Sequence, residues 1–153
     1  MKIGIIGAME LEVAALKKEL SEVACQTVAG MEFFDGQLEQ VPVVVVQCGV
    51  GKVNAAMCVQ ILKDRFQVTH VINTGVAGGL NAALDIGDIL VSKAALQHDM
   101  NVEPLGYAPG QIPGIDTLAF PADEAMKQAA IASCRKVNQD IHVMEGLVVS
   151  GDQ

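Results

Sequence analysis

The sequence has no tryptophan, one tyrosine and four phenylalanines in 153 residues, and only ten lysines and arginines against eighteen aspartates and glutamates. With a net charge of −8 and no basic run, it lacks the clustered cations a phosphate backbone requires, which excludes a nucleic-acid surface. No apolar stretch reaches the roughly 18 residues needed to cross a bilayer, so no membrane partner is expected. The apolar run after Lys2 is short and leads into Glu10 and Glu12, so no secretory leader is expected either. Cys25, Cys48, Cys58 and Cys134 are scattered without a C-x-x-C spacing. That pattern signals neither a zinc site nor a disulfide framework, and four free thiols fit a reducing cytoplasm. No metal and no cofactor is expected.

Apolar residues make up 51% of the chain and charged residues 18%, the composition of a compact globular protein. No repeat or low-complexity linker divides it, so residues 1–153 read as a single domain. A domain of this size buries roughly 70% of its unfolded surface. The chain is organised around its beginning. Ile3 to Ile6 is β-branched and short enough for a buried strand, it breaks at Gly7, and a helical pattern follows at once. Such a turn lies at the carboxyl end of its strand, where open α/β sheets bind ligands. Glu10 and Glu12 stand in it, with no Lys or Arg between Gly4 and Leu16.

The helix is expected over Met9 to Ala24, with an apolar stripe of Met9, Val13, Leu16, Leu20 and Val23. On a wheel of about 100° per residue, Glu12 falls about 65° from the centre of that stripe and Glu10 about 95° away on the other side. Glu12 therefore borders the buried face. An acid in a first helical turn also offsets the helix dipole, and that simpler role stays open.

Glu32–Leu38 and Pro42–Gln47 read as antiparallel strands joined near Gln40, the second apolar on both faces and deep in the sheet. After Cys48-Gly49-Val50-Gly51-Lys52, a helix from about Val53 to Phe66 is apolar around most of its circumference, as for burial between layers or at a subunit contact. The glycines there do not match a phosphate loop, nor do Gly75, Gly78 and Gly79 after the strand Val68–Asn73 match a dinucleotide fingerprint. Gly87–Ser92 is a further strand. A Pro/Gly-rich stretch from His98 to about Pro121 has the length of a functional loop. A helix from Ala122 to about Asn138 and a strand from Val143 to Ser150 complete a three-layer α-β-α pattern around a mixed sheet. His98-Asp99 could supply a ligand or catalyst, but nothing at metal spacing joins it and a structural role is preferred.

If the strands before Gly7, Gly49 and Gly75 are parallel neighbours, their turns share one rim, with apolar walls from Met9, Val50 and Val76 and a carboxylate at the edge. Such a pocket suits a neutral, partly apolar ligand such as a nucleoside, with an acid placed for proton transfer. "MKIGIIGAMELE", "GVGKVNAA", "INTGVAGGL", "IGDILVS" and "GYAPGQIPG" together closely resemble the 5′-methylthioadenosine/S-adenosylhomocysteine nucleosidases of the nucleoside phosphorylase superfamily, in order along the whole chain.

The resemblance implies a cytoplasmic homodimeric hydrolase that releases adenine without a cofactor. It implies Glu12 as the general base on the water attacking C1′, Ala8, Met9 and Val50 around ribose and water, and Val76, Ala77 and Gly78 near the base. Leu105 and Pro113 would be lent to the neighbouring subunit's 5′-alkylthio pocket. Val76 replaces a common Ser, Leu105 an aromatic and Asn101 a common Asp, changes that would retune the 5′ substituent. The adenine-stacking segment, the ribose-holding Glu and the purine-protonating Asp would lie beyond Gln153, which leaves an exposed apolar sheet face expected. The alternatives are a non-catalytic nucleoside-binding or dimerisation module and a phosphate-dependent phosphorylase relative.

Overall fold

The computed structural model describes residues 1–152; Gln153, the last residue of the expected domain, lies outside them. The chain divides into two compact units, Met1–Ala77 and the residues from Gly78 onward, each with its own sheet.

The first unit runs β1 (Ile3–Gly7), α1 (Glu10–Glu19), β2 (Ser21–Val28), β3 (Met31–Leu38), β4 (Val41–Gln47), α2 (Lys52–Phe66) and β5 (His70–Asn73). Its five strands lie in the order β2-β3-β4-β1-β5, with β4, β1 and β5 parallel and the β2-β3-β4 meander antiparallel. Val43 to Val46 are at most 2% exposed because both faces of β4 are covered. Val44 and Val46 join Ile6, Phe33, Cys58, Leu62 and Phe66 under α2, while Val43 and Val45 join Ile5 and Val13 under α1. Alternate residues of one strand thus serve two cores, which makes this unit three layers deep. Gly4 belongs here too: a Cβ would come within 2.9 Å of Leu62 Cδ1.

The helix expected through Ala24 ends at Glu19, and Ser21–Val28 is instead an edge strand. The three- and four-residue apolar spacing holds as far as Leu20. Beyond it Thr27 and Val28 are β-branched and pair with Glu32 and Met31 of β3, and Val23 is left exposed at the edge. A register shift between Ser21 and Ala24 accommodates Glu22 at φ 53°. In α2, Cys58, Leu62 and Phe66 face the sheet, whereas Val53 is 82% exposed, so burial between layers accounts for one side of the helix only.

In the second unit, β6 (Ile89–Gln97) pairs with β7 (Phe120–Pro121) antiparallel and with β8 (Val143–Ser150) parallel. Between β7 and β8 runs α3 (Glu124–Val137), capped by Asp123, whose carboxylate accepts the Met126 N–H at 2.9 Å. Lys127 ties α3 to β8 by reaching Glu124 and Glu145, each at 2.9 Å. The long loop after β6 holds only a 3-10 turn at Glu103–Leu105. His98 and Asp99 anchor its start. The His98 N–H donates to Ser150 O, Asp99 accepts the Asp152 N–H at 2.8 Å, and Gly151 leaves no room for a Cβ against the His98 ring. Among the described residues no three metal-ligating side chains cluster. Nor is any described helix long and apolar enough to cross a membrane.

The β3–β4 turn sets Glu39 and Gln40 at φ 46° and 71°, a conformation that costs a non-glycine residue about 1 to 2 kcal/mol. Gln40→Gly should therefore raise the denaturation midpoint by up to about 1 kcal/mol of stability, after the unfolded-state entropy of glycine is subtracted. Leu62→Ala should lower it by about 2 to 5 kcal/mol, since its side chain is fully buried. Urea titration followed by circular dichroism reads both.

Candidate active site

Because β4, β1 and β5 are parallel neighbours, their following turns leave the sheet at one end. The ladder hydrogen bonds continue past the strands: Cys48 N–H donates to Gly7 O at 2.8 Å and Thr74 N–H to Ile6 O at 2.9 Å. The turns at Gly7, Gly49 and Gly75 are therefore laced together, the outcome expected if their strands are parallel neighbours.

Glu12 stands in the middle of them. It is the third residue of α1, and its Oε2 accepts the Met9 N–H at 2.9 Å, as a capping acid would. Capping does not explain the other oxygen. Glu12 Oε1 accepts the Val76 N–H at 3.0 Å, 64 residues further along the chain. The two flanking glycines exist to admit this carboxylate. A Cβ on Gly75 would come within 2.7 Å of Glu12 Cδ, and one on Gly7 within 3.0 Å of Glu12 Cβ and 2.8 Å of Val13 Cγ1.

The amides of Met9 and then Val76, with a smaller contribution from Ala8, hold the Glu12 carboxyl below the usual glutamate range against a partial burial that would raise it. It is anionic near neutral pH. Beside it, burial pushes the Cys48 thiol up and the Glu12 charge adds to the shift, so Cys48 stays a neutral thiol and donates to Gly49 O at 3.2 Å. Glu10 points elsewhere: it pairs with Lys17 at 2.6 Å on the helix surface. Lys17 also lies over the Phe34 ring, 4.5 Å from its centroid.

Of the residues the resemblance assigned, the first unit brings Ala8, Met9, Glu12, Val50 and Val76 to the same end of its sheet. Ala77 follows, exposed. Gly78, Leu105 and Pro113 belong to the second unit and are exposed there, Leu105 at the end of the 3-10 turn. Asn54 escaped notice in the sequence. Its Nδ2 donates to Val50 O at 2.7 Å, and its place in the first turn of α2, three residues after Gly51, was the available signal.

A strand-end cluster of three glycine turns around one ionised, backbone-held glutamate coincides with a family assignment. Residues 2–153 match the model of the phosphorylase superfamily, and the chain belongs to that superfamily. Within it, the chain is similar to a 5′-methylthioadenosine/S-adenosylhomocysteine nucleosidase of Anoxybacillus flavithermus, at 45% identity over 99% of this chain and 65% of the relative. It is also similar to two solved nucleosidases. One, from Colwellia psychrerythraea, was crystallised with adenine: TM-score 0.95, 45% identity, 100% of this chain and 63% of that one. The other, from Neisseria meningitidis, was crystallised with methylthio-immucillin-A: TM-score 0.95, 34% identity, 99% and 65%. The chain thus spans about two thirds of the length of the relatives it matches.

Glu12 should titrate below the ordinary glutamate value of about 4.3 in a carbon-detected NMR titration. Gly75→Ala should move that value upward by displacing the carboxylate from the Val76 amide. A depressed folded-state pKa gives stability that is present above the unfolded value and is lost as pH falls through the folded one. The wild type should therefore lose stability below about pH 4.3 more steeply than Glu12→Gln does.

Proposed function

We propose that this protein hydrolyses the N-glycosidic bond of 5′-methylthioadenosine and S-adenosylhomocysteine, releasing adenine and the 5′-thioribose. The observation that carries this reading is the ionised Glu12 carboxylate, fixed by two backbone amides at the carboxyl end of the parallel strands. The likeness to nucleosidases with adenine and an immucillin supports the substrate class.

In this reading Glu12 takes the proton from the water that attacks C1′. The backbone amides that make it a weaker base also fix its position, and a water bonding to an oxocarbenium-like carbon becomes acidic enough for such an acceptor. The same charge stabilises the cationic sugar, while Ala8, Met9 and Val50 flank the ribose and Val76, Ala77 and Gly78 the purine. Water is favoured over phosphate as nucleophile because like charges at close contact cost about 1 to 4 kcal/mol at realistic dielectrics, and Lys17 is engaged by Glu10 and Phe34. We place the protein in the cytoplasm, as a homodimer in a single-domain fold. The outward Val53 and Met57 of α2 would supply contact surface, and Leu105 and Pro113 would reach the neighbouring 5′ pocket. On the resemblance, the acid that protonates the departing adenine and the acid that holds the ribose hydroxyls come from the part of the relatives that this chain does not span.

The natural full-length protein should release adenine from methylthioadenosine in phosphate-free buffer, followed by ultraviolet absorbance or chromatography. Release that requires phosphate would assign a phosphorylase instead. Glu12→Gln should lower kcat at least about 100-fold with substrate-analogue affinity changed less than about threefold. Because Glu12 must be ionised, the acid limb of the kcat/KM profile should fall below the ordinary glutamate range.

A further inference from the structure

The loop Gly49-Val50-Gly51 presents Val50 at the rim with its side chain 72% exposed. Gly49 and Gly51 on either side hold φ at 85° and 102°, conformations with little intrinsic preference to persist. Gly51 is the N-cap of α2 and has no side chain with which to fasten the turn. The fastening comes from Asn54. Its Nδ2 donates to Val50 O at 2.7 Å, and its amide lies so close under Gly49 that a Cβ there would stand 3.2 Å from Nδ2. On the other side of the loop, Cys48 N–H is bonded to Gly7 O, at the start of the turn that carries Glu12. Val50 is thus held through its carbonyl by Asn54, between Gly49, whose carbonyl accepts the Cys48 thiol, and Gly51, whose carbonyl accepts the Ala55 N–H.

We propose that Asn54 is the positioning residue of this loop, setting where Val50 stands against the ribose and 5′ substituent of a nucleoside. The substrate part of this assignment rests on the nucleosidase reading; the loop part does not. Asn54 has no catalytic contact and acts through the Val50 carbonyl. Its amide is the group required because the loop offers it an acceptor. A carboxylate at the same place would set oxygen against oxygen, while favouring α2 by offsetting the positive end of its dipole.

That contrast supplies the test. Asn54→Asp and Asn54→Ala are made in the natural full-length protein. Each should raise KM for methylthioadenosine by about 3- to 10-fold, the loss of one hydrogen bond, with kcat within about twofold. Asn54→Asp should do so with an undiminished denaturation midpoint, which a purely structural role for Asn54 does not allow. Backbone NMR order parameters at Gly49, Val50 and Gly51 should fall from about 0.85 toward about 0.6 in both variants, with those at Leu62 and Phe66 in the body of α2 unchanged. Unchanged order parameters at the three loop residues overturn the positioning role, and so does an unchanged KM in an active protein. A wild type that releases no adenine without phosphate overturns the nucleosidase reading instead, and the order parameters still decide the loop.

Discussion

The hydrogen bond from the Val76 amide to Glu12 joins two turns that are 64 residues apart in the chain, and the rest of the site is arranged to permit it. It requires β1 and β5 to be parallel neighbours in a register that pairs Ile6 with Asn73, because only then do the two turns emerge together. It requires glycine at residue 75, where a side chain would occupy the carboxylate's space, and at residue 7, where one would meet Val13 and the Glu12 Cβ. In return, a carboxylate in which each oxygen accepts a backbone amide cannot swing away or take up a proton near neutrality. Fixed orientation and fixed charge are what an electrostatic catalyst needs from its scaffold, since no reorganisation is then required as charge develops.

The rigidity behind this clamp comes from β4 and its neighbours. Four consecutive valines, buried on both faces by α1 and α2, leave the strand no freedom to shift without opening two cores at once. Local hydrogen bonds set the parts outside that sandwich. Val50 depends on Asn54, and the long loop of the second unit starts from the His98–Asp99 anchor. The first unit thus sets a packed floor beneath turns that local hydrogen bonds hold.

Much of this was legible in the residue pattern, and the failures have physical causes. Strands over Ile3–Ile6 and Val143–Ser150 were readable because apolar runs of that length between turn signals have few other solutions. Ser21–Ala24 reads as helix because Leu20 and Val23 continue a helical spacing by coincidence, and because an edge strand forms only when its partner is present. The α2 helix is apolar beyond the face that meets the sheet because Val53 and Met57 are not covered within this chain. The place of the His98 ring beside Gly151 is a contact that no sequence spacing announces.

The sequence by itself determined the strand-turn-helix at the start, the valine-rich central strand, the turns that end in glycine, and an excess of acid over base. These follow from propensity, periodicity and charge, which are local properties. Glu12 could be placed at the edge of a buried face, yet the helix dipole explained it equally well. The tertiary structure adds to the capping bond a second acceptor bond, made to Val76 across strands whose adjacency no local pattern encodes. The same holds for Asn54: its reach back to Val50 depends on two glycine backbones at positive φ, which the sequence allows but does not require.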